Sequence, residues 1–184
     1  MVKRAVSLGL CVLLAGLPAG ASGPTGEVLI EGQADVVRPD DQTTLIITET
    51  EQTIYEWGSF DIPADHRVDI KQPSADSKII NYVPVGDPTL IAGQLDAEGY
   101  VYIVNPSGVF LGDSAVIDVG GMVAAAGRIS YDAFMEGQDR FTELGGEVVV
   151  ADGAVVRADD TVALLGQRVA NYGTIISQGG MIVP

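Results

Sequence analysis

The chain has 184 residues, of which 47% are hydrophobic, so it can form one domain with a sizeable core and is unlike disordered sequences. Its 25 acidic residues outnumber ten basic ones, and a formal charge of −15 argues against binding the phosphate backbone of nucleic acids. Twenty-three glycines beside nine prolines indicate tight turns between short strands, which favours an acidic, turn-rich β protein.

The first 21 residues have the pattern of a secretory signal peptide. Two basic residues precede an apolar run over residues 5–17, and a small-x-small sequence ends at Ala21, after which we expect cleavage. A transmembrane anchor is the alternative, but the run is shorter than the ~20 residues that a bilayer requires. Cleavage would remove the single cysteine, Cys11, and change the charge to −17. The sequence thus predicts a mature domain over residues 22–184, without stable membrane insertion.

From residue 27 onward the chain consists of strand-length blocks rich in Val, Ile and Thr, separated by Gly, Asp, Asn and Pro. The predicted strands cover residues 27–30, 43–48, 53–57, 67–71, 78–83, 100–104, 115–119, 147–150, 154–157, 161–165 and 174–177. Helical periodicity is confined to residues 131–135, with Ser130 as N-cap and Gly137 as the stop. We predict that this short helix decorates a loop.

The C-terminal third contains a repeat of about twenty residues. Residues 152–157 align with residues 172–177, twenty positions later. They also align with residues 113–118, thirty-nine positions earlier, which is close to two such periods. Short strands with turn residues at a fixed spacing are typical of a parallel β-solenoid, in which each repeat forms one coil.

Stacked coils place equivalent residues in aliphatic ladders. The alignment pairs Val155 with Ile175 and Val156 with Ile176, and either pair could face inward. A β-sandwich is the alternative fold, but Asn-Gly hairpin signals between alternating strands are absent from the sequence. We therefore predict the solenoid.

A turn motif follows the predicted strand over residues 100–104. Asn105, Pro106, Ser107 and Gly108 match the preferences of a type I turn. Proline presets φ, the asparagine side chain can bond the backbone of the turn, and glycine tolerates the exit. The motif predicts a rigid structural corner between two buried strands.

Segments along the whole mature chain resemble the N-terminal secretion domain of the filamentous haemagglutinin family, the exported partners of two-partner secretion systems in Gram-negative bacteria. The matching segments are residues 54–62, 68–74, 80–83, 91–95, 99–109, 119–124, 162–166, 169–171 and 173–175. The resemblance covers residues 26–184. Two positions depart from the family pattern, because Ser107 replaces the usual asparagine of the corner and Tyr82 stands where the family often has arginine.

The resemblance implies a right-handed parallel β-helix with an N-terminal cap and extra-helical hairpins. It also implies an export signal that is bound in the periplasm, while still extended, by the POTRA domains of a cognate outer-membrane β-barrel transporter. The resemblance further suggests that the region around Ile80, Asn81 and Val83 takes part in transporter recognition. Folding then proceeds coil by coil at the cell surface, so the expected location is the surface or the medium.

The sequence carries no catalytic signature. The single histidine, His66, lies in a polar segment between predicted strands, and there is no Gly-x-Ser-x-Gly motif. A mature chain without cysteine lacks the usual zinc ligands. The acidic pairs Asp40–Asp41 and Asp159–Asp160 suit solvated turns better than calcium sites. We therefore expect neither enzymatic activity nor a cofactor or metal.

Two functions remain open. The first is a non-enzymatic secretion and folding-nucleation domain of a large, adhesin-like exported protein. The second is a surface adhesin whose solenoid flank binds a host or surface ligand, either a glycan or a protein; an acidic flank would repel anionic glycans. The chain stops within a repeat, with an uncapped strand edge. We expect a truncated gene, a fragment, or an open end covered by a partner or by self-association through the C-terminal coil.

Overall fold

The computed structural model describes residues 23–179 and the backbone of residues 181–183, so the predicted signal peptide lies outside the described residues. Short strands make up most of this part of the chain, in agreement with the predicted all-β class. The strands are β1 (Val28–Glu31), β2 (Ala34–Asp40), β3 (Thr43–Thr48), β4 (Gln52–Glu56), β5 (Arg67–Lys71), β6 (Lys78–Tyr82), β7 (Thr89–Ile91), β8 (Gln94–Ala97), β9 (Tyr100–Val104), β10 (Val109–Leu111), β11 (Val116–Val119), β12 (Gly121–Ala125), β13 (Arg128–Ile129), β14 (Phe141–Thr142), β15 (Glu147–Val150), β16 (Val155–Ala158), β17 (Thr161–Leu165), β18 (Arg168–Asn171), β19 (Thr174–Ser177) and β20 (Met181–Val183), and α1 (Tyr131–Met135) lies between β13 and β14.

Three sheets contain almost all of these strands. Sheet 1 has the order β1-β4-β6-β9-β12-β17-β20, sheet 2 the order β18-β15-β10-β7, and sheet 3 the order β19-β16-β11-β8-β5-β3-β2. The chain visits sheets 1, 2 and 3 in turn and returns to sheet 1, as in the succession β9, β10, β11 and β12. Successive visits pair in parallel, which gives a β-helix-like stack.

The main core fills the space between the three sheets. Along β11, Ile117 and Val119 are buried while the residues that precede each of them are exposed, as the two-residue period of a strand requires. Stacking then aligns the inward positions. Leu95, Ile117 and Val156 are register partners in three successive strands of sheet 3, and all three are 0% exposed.

Antiparallel strands close the N-terminal end of the stack. In sheet 1, β1 pairs antiparallel with β4, and in sheet 3, β2 pairs antiparallel with β3. All further pairs within sheets 1, 2 and 3 are parallel among the described strands. The parallel stack therefore begins on a base of antiparallel pairs.

Residues 126–146, which we call the insertion, leave the stack between β12 and β15. They contain the antiparallel pair β13–β14 and the helix α1, whose N-cap is Ser130 and whose C-terminal end precedes Gly137 at φ +78°, as the sequence predicts. The insertion packs on the outer face of sheet 1, where Phe134 joins Ile80 and Tyr102 in a second core. No helix within residues 23–179 is long and apolar enough to cross a membrane.

The insertion shows that one prediction about the repeat, namely that residues 113–118 and 152–157 are about two periods apart, is wrong. Residues 113–118 and 152–157 lie on directly adjacent coils, because β11 pairs with β16. The thirty-nine positions between them are one coil plus the insertion, and no second coil lies between them. The sequence spacing mimics two periods because the insertion is about as long as a coil.

The predicted ladder pairs are also wrong. Val156 pairs with Ile175, and neither Val155–Ile175 nor Val156–Ile176 is in register. Two residues, 172–173, connect β18 to β19, whereas four residues, 151–154, connect β15 to β16. The sequence alignment places Gly153 opposite Gly173, and because the two connections differ in length, this alignment misplaces the register of the strands that follow. Because strand side chains alternate, this slip of one residue exchanges the inward and outward positions.

Candidate functional site: the corner after β9 and the adjoining segment

The corner between β9 and β10 is a hydrogen-bonded turn. The N–H of Gly108 donates to the carbonyl oxygen of Asn105 at 3.0 Å, and the N–H of Ser107 donates to Asn105 Oδ1 at 2.9 Å. Pro106 suits the second position because its ring fixes φ. Gly108 has a φ of +129°, where a residue with a Cβ is strained. These residues form one bend that carries the chain from sheet 1 to sheet 2.

The Asn105 side chain ties this corner to the preceding coil. It is 1% exposed, and its Nδ2 donates to the carbonyl oxygen of Asp87 at 2.9 Å and to Thr89 Oγ1 at 3.1 Å. The Ser107 hydroxyl adds a hydrogen bond to the carbonyl oxygen of Gly86 at 2.8 Å. The corner therefore holds two successive coils together as well as bending one of them.

The segment predicted for transporter recognition is buried. Ile80, Asn81 and Val83 are 0%, 0% and 1% exposed. Ile80 faces the second core and Val83 the main core. Asn81 Oδ1 accepts a hydrogen bond from Trp57 Nε1 at 3.1 Å, whereas Asn81 Nδ2 has no hydrogen-bond partner among the described residues. A partner of the folded domain cannot reach these side chains.

The fold brings the corner and this segment together. Strands β6 and β9 are parallel neighbours, with Asn81 opposite Ile103. The N–H of Val83 donates to the carbonyl oxygen of Val104, the residue before the corner, at 2.9 Å. The two sets of residues predicted separately thus form one continuous part of the structure.

Sequence reasoning missed two contributors to this region. One is the loop residues 86–89, which accept the hydrogen bonds of the corner. The other is Trp57, which is 2% exposed and packs between the rings of Tyr55 and Phe60 at centroid distances of 5.4 and 5.3 Å. The turn-rich composition of residues 84–88 is the one local signal for the loop; its contact with the corner is tertiary.

The structure also places the polar residues considered for catalysis or metal binding. His66 lies just before β5, as expected, but its ring is buried, and its Nδ1 contacts Asp65 Oδ1 at 3.0 Å. Hydrogen bonds from the Gln42 N–H and the Thr43 hydroxyl lower the pKa of Asp40. The Asp40 carboxylate thus accepts hydrogen bonds within the turn to which it belongs.

Asp160 has a similar role on the outer face of sheet 1. Its carboxylate accepts hydrogen bonds from the hydroxyls of Tyr100 and Thr161. Within residues 23–179, no group of three His, Cys, Asp or Glu side chains is arranged to hold a metal ion.

A β-helix-like stack on an antiparallel base, with Asn105 buried at the corner, is an architecture found in secretion domains of exported proteins. The family model of the TPS secretion domain matches residues 22–183, and the chain therefore belongs to this family. The resemblance to the secretion domain of two-partner systems is thus confirmed. Proteins with this domain are exported and secreted, the domain implies a cognate outer-membrane transporter, and the family is not a known enzyme family.

Individual relatives match parts of the chain. A heme/hemopexin-binding protein of Haemophilus influenzae strain Rd is 39% identical over 101 residues, which are 55% of this chain and 11% of that protein. A second Haemophilus influenzae protein of the same description is 39% identical over 69 residues, or 38% of this chain and 7% of the relative. The matched segments are therefore a small part of these relatives.

A solved structure agrees over a longer region. The HMW1 secretion domain from Haemophilus influenzae superposes with a TM-score of 0.77 at 25% identity, covering 88% of this chain and 45% of that chain. The likeness extends through the stack and is not limited to the corner.

Proposed function

We propose that the chain is the non-enzymatic secretion and folding-nucleation domain of a large, adhesin-like exported protein. The observation that carries this proposal is the family match, which runs over residues 22–183 and so includes all three sheets. The match begins directly after the predicted cleavage site at Ala21, which supports a removed signal peptide and export through the periplasm. A cognate outer-membrane transporter with POTRA domains then carries the chain outward.

Recognition by the transporter takes place before folding. Ile80, Asn81 and Val83 are buried in the folded domain and would be accessible only in an extended chain. The backbone of an extended chain also has free N–H and C=O groups, which can add a strand to the sheet of a partner domain. Folding therefore withdraws the recognition segment and releases the transporter.

Nucleation starts from the antiparallel end of the stack. Strands β1 and β2 pair with β4 and β3, the first parallel-stacked strands of sheets 1 and 3. This base consists of N-terminal residues, so it can fold first, and later coils add onto it. We propose a right-handed stack, the hand that nearly all parallel crossover connections adopt. Val109 is 20 residues from its partner Thr89, and Thr161 is 20 residues from Met181, whereas the earlier partners Arg67 and Gln94 are 27 residues apart; we therefore propose about 20 residues for the later coils.

The test compares binding of folded and destabilised chains to the isolated POTRA domains of the cognate transporter. Ile117→Ala removes a fully buried side chain of the main core and should lower the free energy of unfolding by about 2–5 kcal/mol. If the extended form is recognised, its larger population in this variant should raise the apparent affinity, measured by calorimetry.

Val116→Ala is the matched control, because Val116 lies on the same strand and is 37% exposed. This variant should bind like the parent chain. Equal affinity of the parent and Ile117→Ala chains would contradict recognition before folding and would place the transporter contact on the folded surface.

A further inference from the structure

The outer face of sheet 1 carries a cleft beside the insertion. Its volume is about 540 Å³, within the roughly 300–1,000 Å³ range of small-molecule sites. Residues of β9, β12, β17 and the insertion line this cleft, together with Asp76 and Lys78. Neither the corner nor the recognition segment lines this cleft.

The cleft exists because side chains become smaller along the stack. Tyr102, Val123 and Ala163 are register partners in successive strands, so the outer face loses volume from one coil to the next. Gly121, opposite Tyr100, has no side chain at all. The insertion covers the outer face of sheet 1 near Tyr102. It leaves the part of this face around Ala163 open, and Ala163 is half-buried.

Two tyrosine rings are held in fixed positions at the wall. The Tyr100 ring lies over Gly121, and its hydroxyl donates to Asp160, which raises the pKa of Tyr100 to about 12. The Tyr102 hydroxyl donates to Asp139 at 2.8 Å, and its ring packs edge-on against Phe134 at 5.5 Å. Because Tyr100 remains half-buried, it offers a rigid apolar platform to a ligand.

The charged residues at the rim of the cleft restrict the charge of a ligand that can bind there. Asp76 and Asp139 line the cleft beside Lys78, whose Nζ is 3.6 Å from Asp139 and lies 6.0 and 5.7 Å from the centroids of the Tyr100 and Tyr102 rings. The lysine ammonium thus already places a cation near both rings, and for Tyr100 it lies at the outer limit of cation–π contact, so it does not cover that ring. The carboxylates, in a chain of net charge −15, disfavour an anion. A neutral ligand with an apolar face and several hydroxyls fits best.

We propose that this cleft binds a neutral pyranose unit of a glycan. The sugar ring stacks on Tyr100, and its hydroxyls hydrogen-bond to the carboxylate of Asp76 and the hydroxyl of Thr161 at the rim. The cleft is open to solvent, so the unit can be the end of a longer chain. This activity is independent of export and belongs to the folded domain.

The test is saturation-transfer NMR and an array of glycans with the purified folded chain. The probes are the methyl glycosides of glucose, galactose and N-acetylglucosamine, with sialyllactose as an anionic and choline as a cationic comparison. We expect binding of at least one neutral glycoside and weaker or no binding of the charged probes. Absence of neutral binding, or tighter binding of sialyllactose or choline, would overturn the proposal.

Two pairs of variants locate the site. Tyr100→Ala should weaken binding of the neutral glycoside about tenfold, since it removes an aromatic contact, whereas Tyr172→Ala changes an exposed tyrosine away from the cleft and should have no effect. Ala163→Phe fills the cleft without removing a hydrogen bond and should abolish binding, and Val116→Phe is its control. Retained binding in the folded Ala163→Phe chain would exclude this cleft as the site.

Discussion

The amide of Asn105 makes three hydrogen bonds from a position that is 1% exposed. Asn105→Leu keeps a similar volume but leaves partners on Ser107, Asp87 and Thr89 unsatisfied. An unsatisfied buried group costs about 1–3 kcal/mol, and part of this loss is relieved by water at the exposed partners. We expect the free energy of unfolding in urea to fall by about 2–4 kcal/mol, and the yield of folded secreted protein to fall with it.

Ser107→Ala is the matched control at the same corner. It removes one hydroxyl hydrogen bond from an exposed position, so the change in unfolding free energy should stay below about 1 kcal/mol. An Asn105→Leu chain as stable and as well secreted as the Ser107→Ala chain would refute the role of the amide in joining the coils.

At the scale of the element, the sequence predicts β3, β5 and β17 well, because each contains β-branched residues and its buried positions alternate with more exposed ones. It misses β12, whose sequence Gly-Met-Val-Ala-Ala has low β-propensity. All five residues of β12 are buried, because one face meets the main core and the other meets the insertion, so small side chains fit. Similarly, turn chemistry predicts the corner, whereas its hydrogen bonds to residues 86–89 depend on the stacking of coils.

The corrected register of β16 and β19 gives a prediction at the same scale. Ile175 packs against the main core and Ile176 is 46% exposed. Ile175→Ala should therefore lower the unfolding free energy by about 1–2 kcal/mol, and Ile176→Ala by less than about 0.5 kcal/mol. In double-mutant cycles with Val156→Ala, Ile175 should show a coupling of about 0.5 kcal/mol or more. Coupling of Val156 to Ile176 instead would restore the register that the sequence alignment suggests.

In the molecule as a whole, the stacking of coils places acidic residues next to one another. Equivalent outward positions in successive strands lie one strand spacing apart, and in sheet 3 Asp69, Asp96 and Asp118 occupy such positions. Burial raises the pKa of Asp96, the Arg67 guanidinium at 3.5 Å opposes this shift, and the two neighbouring carboxylates add to it. A coil stack thus concentrates charges that a less regular fold would disperse.

This column predicts how the stability of the whole domain depends on pH. The folded-state pKa of Asp96 lies above its unfolded value, so the ionised carboxylate opposes folding at neutral pH, and this cost disappears as the pH falls through the folded pKa. Asp96→Asn should therefore raise the unfolding free energy at pH 7, by less than about 1 kcal/mol because the site is partly solvated and the Arg67 ion pair is lost. The gain should vanish near pH 3, below the unfolded pKa of about 3.9.

Urea unfolding of both chains across this pH range measures the difference directly. Asp152→Asn removes the same charge from an exposed turn outside the column, and it should not reproduce the gain at pH 7. Added salt should reduce the advantage of Asp96→Asn, because screening weakens the repulsion between the carboxylates. A gain that persists at pH 3, or one that Asp152→Asn reproduces, would mean that net charge alone, and not the stacked column, opposes folding.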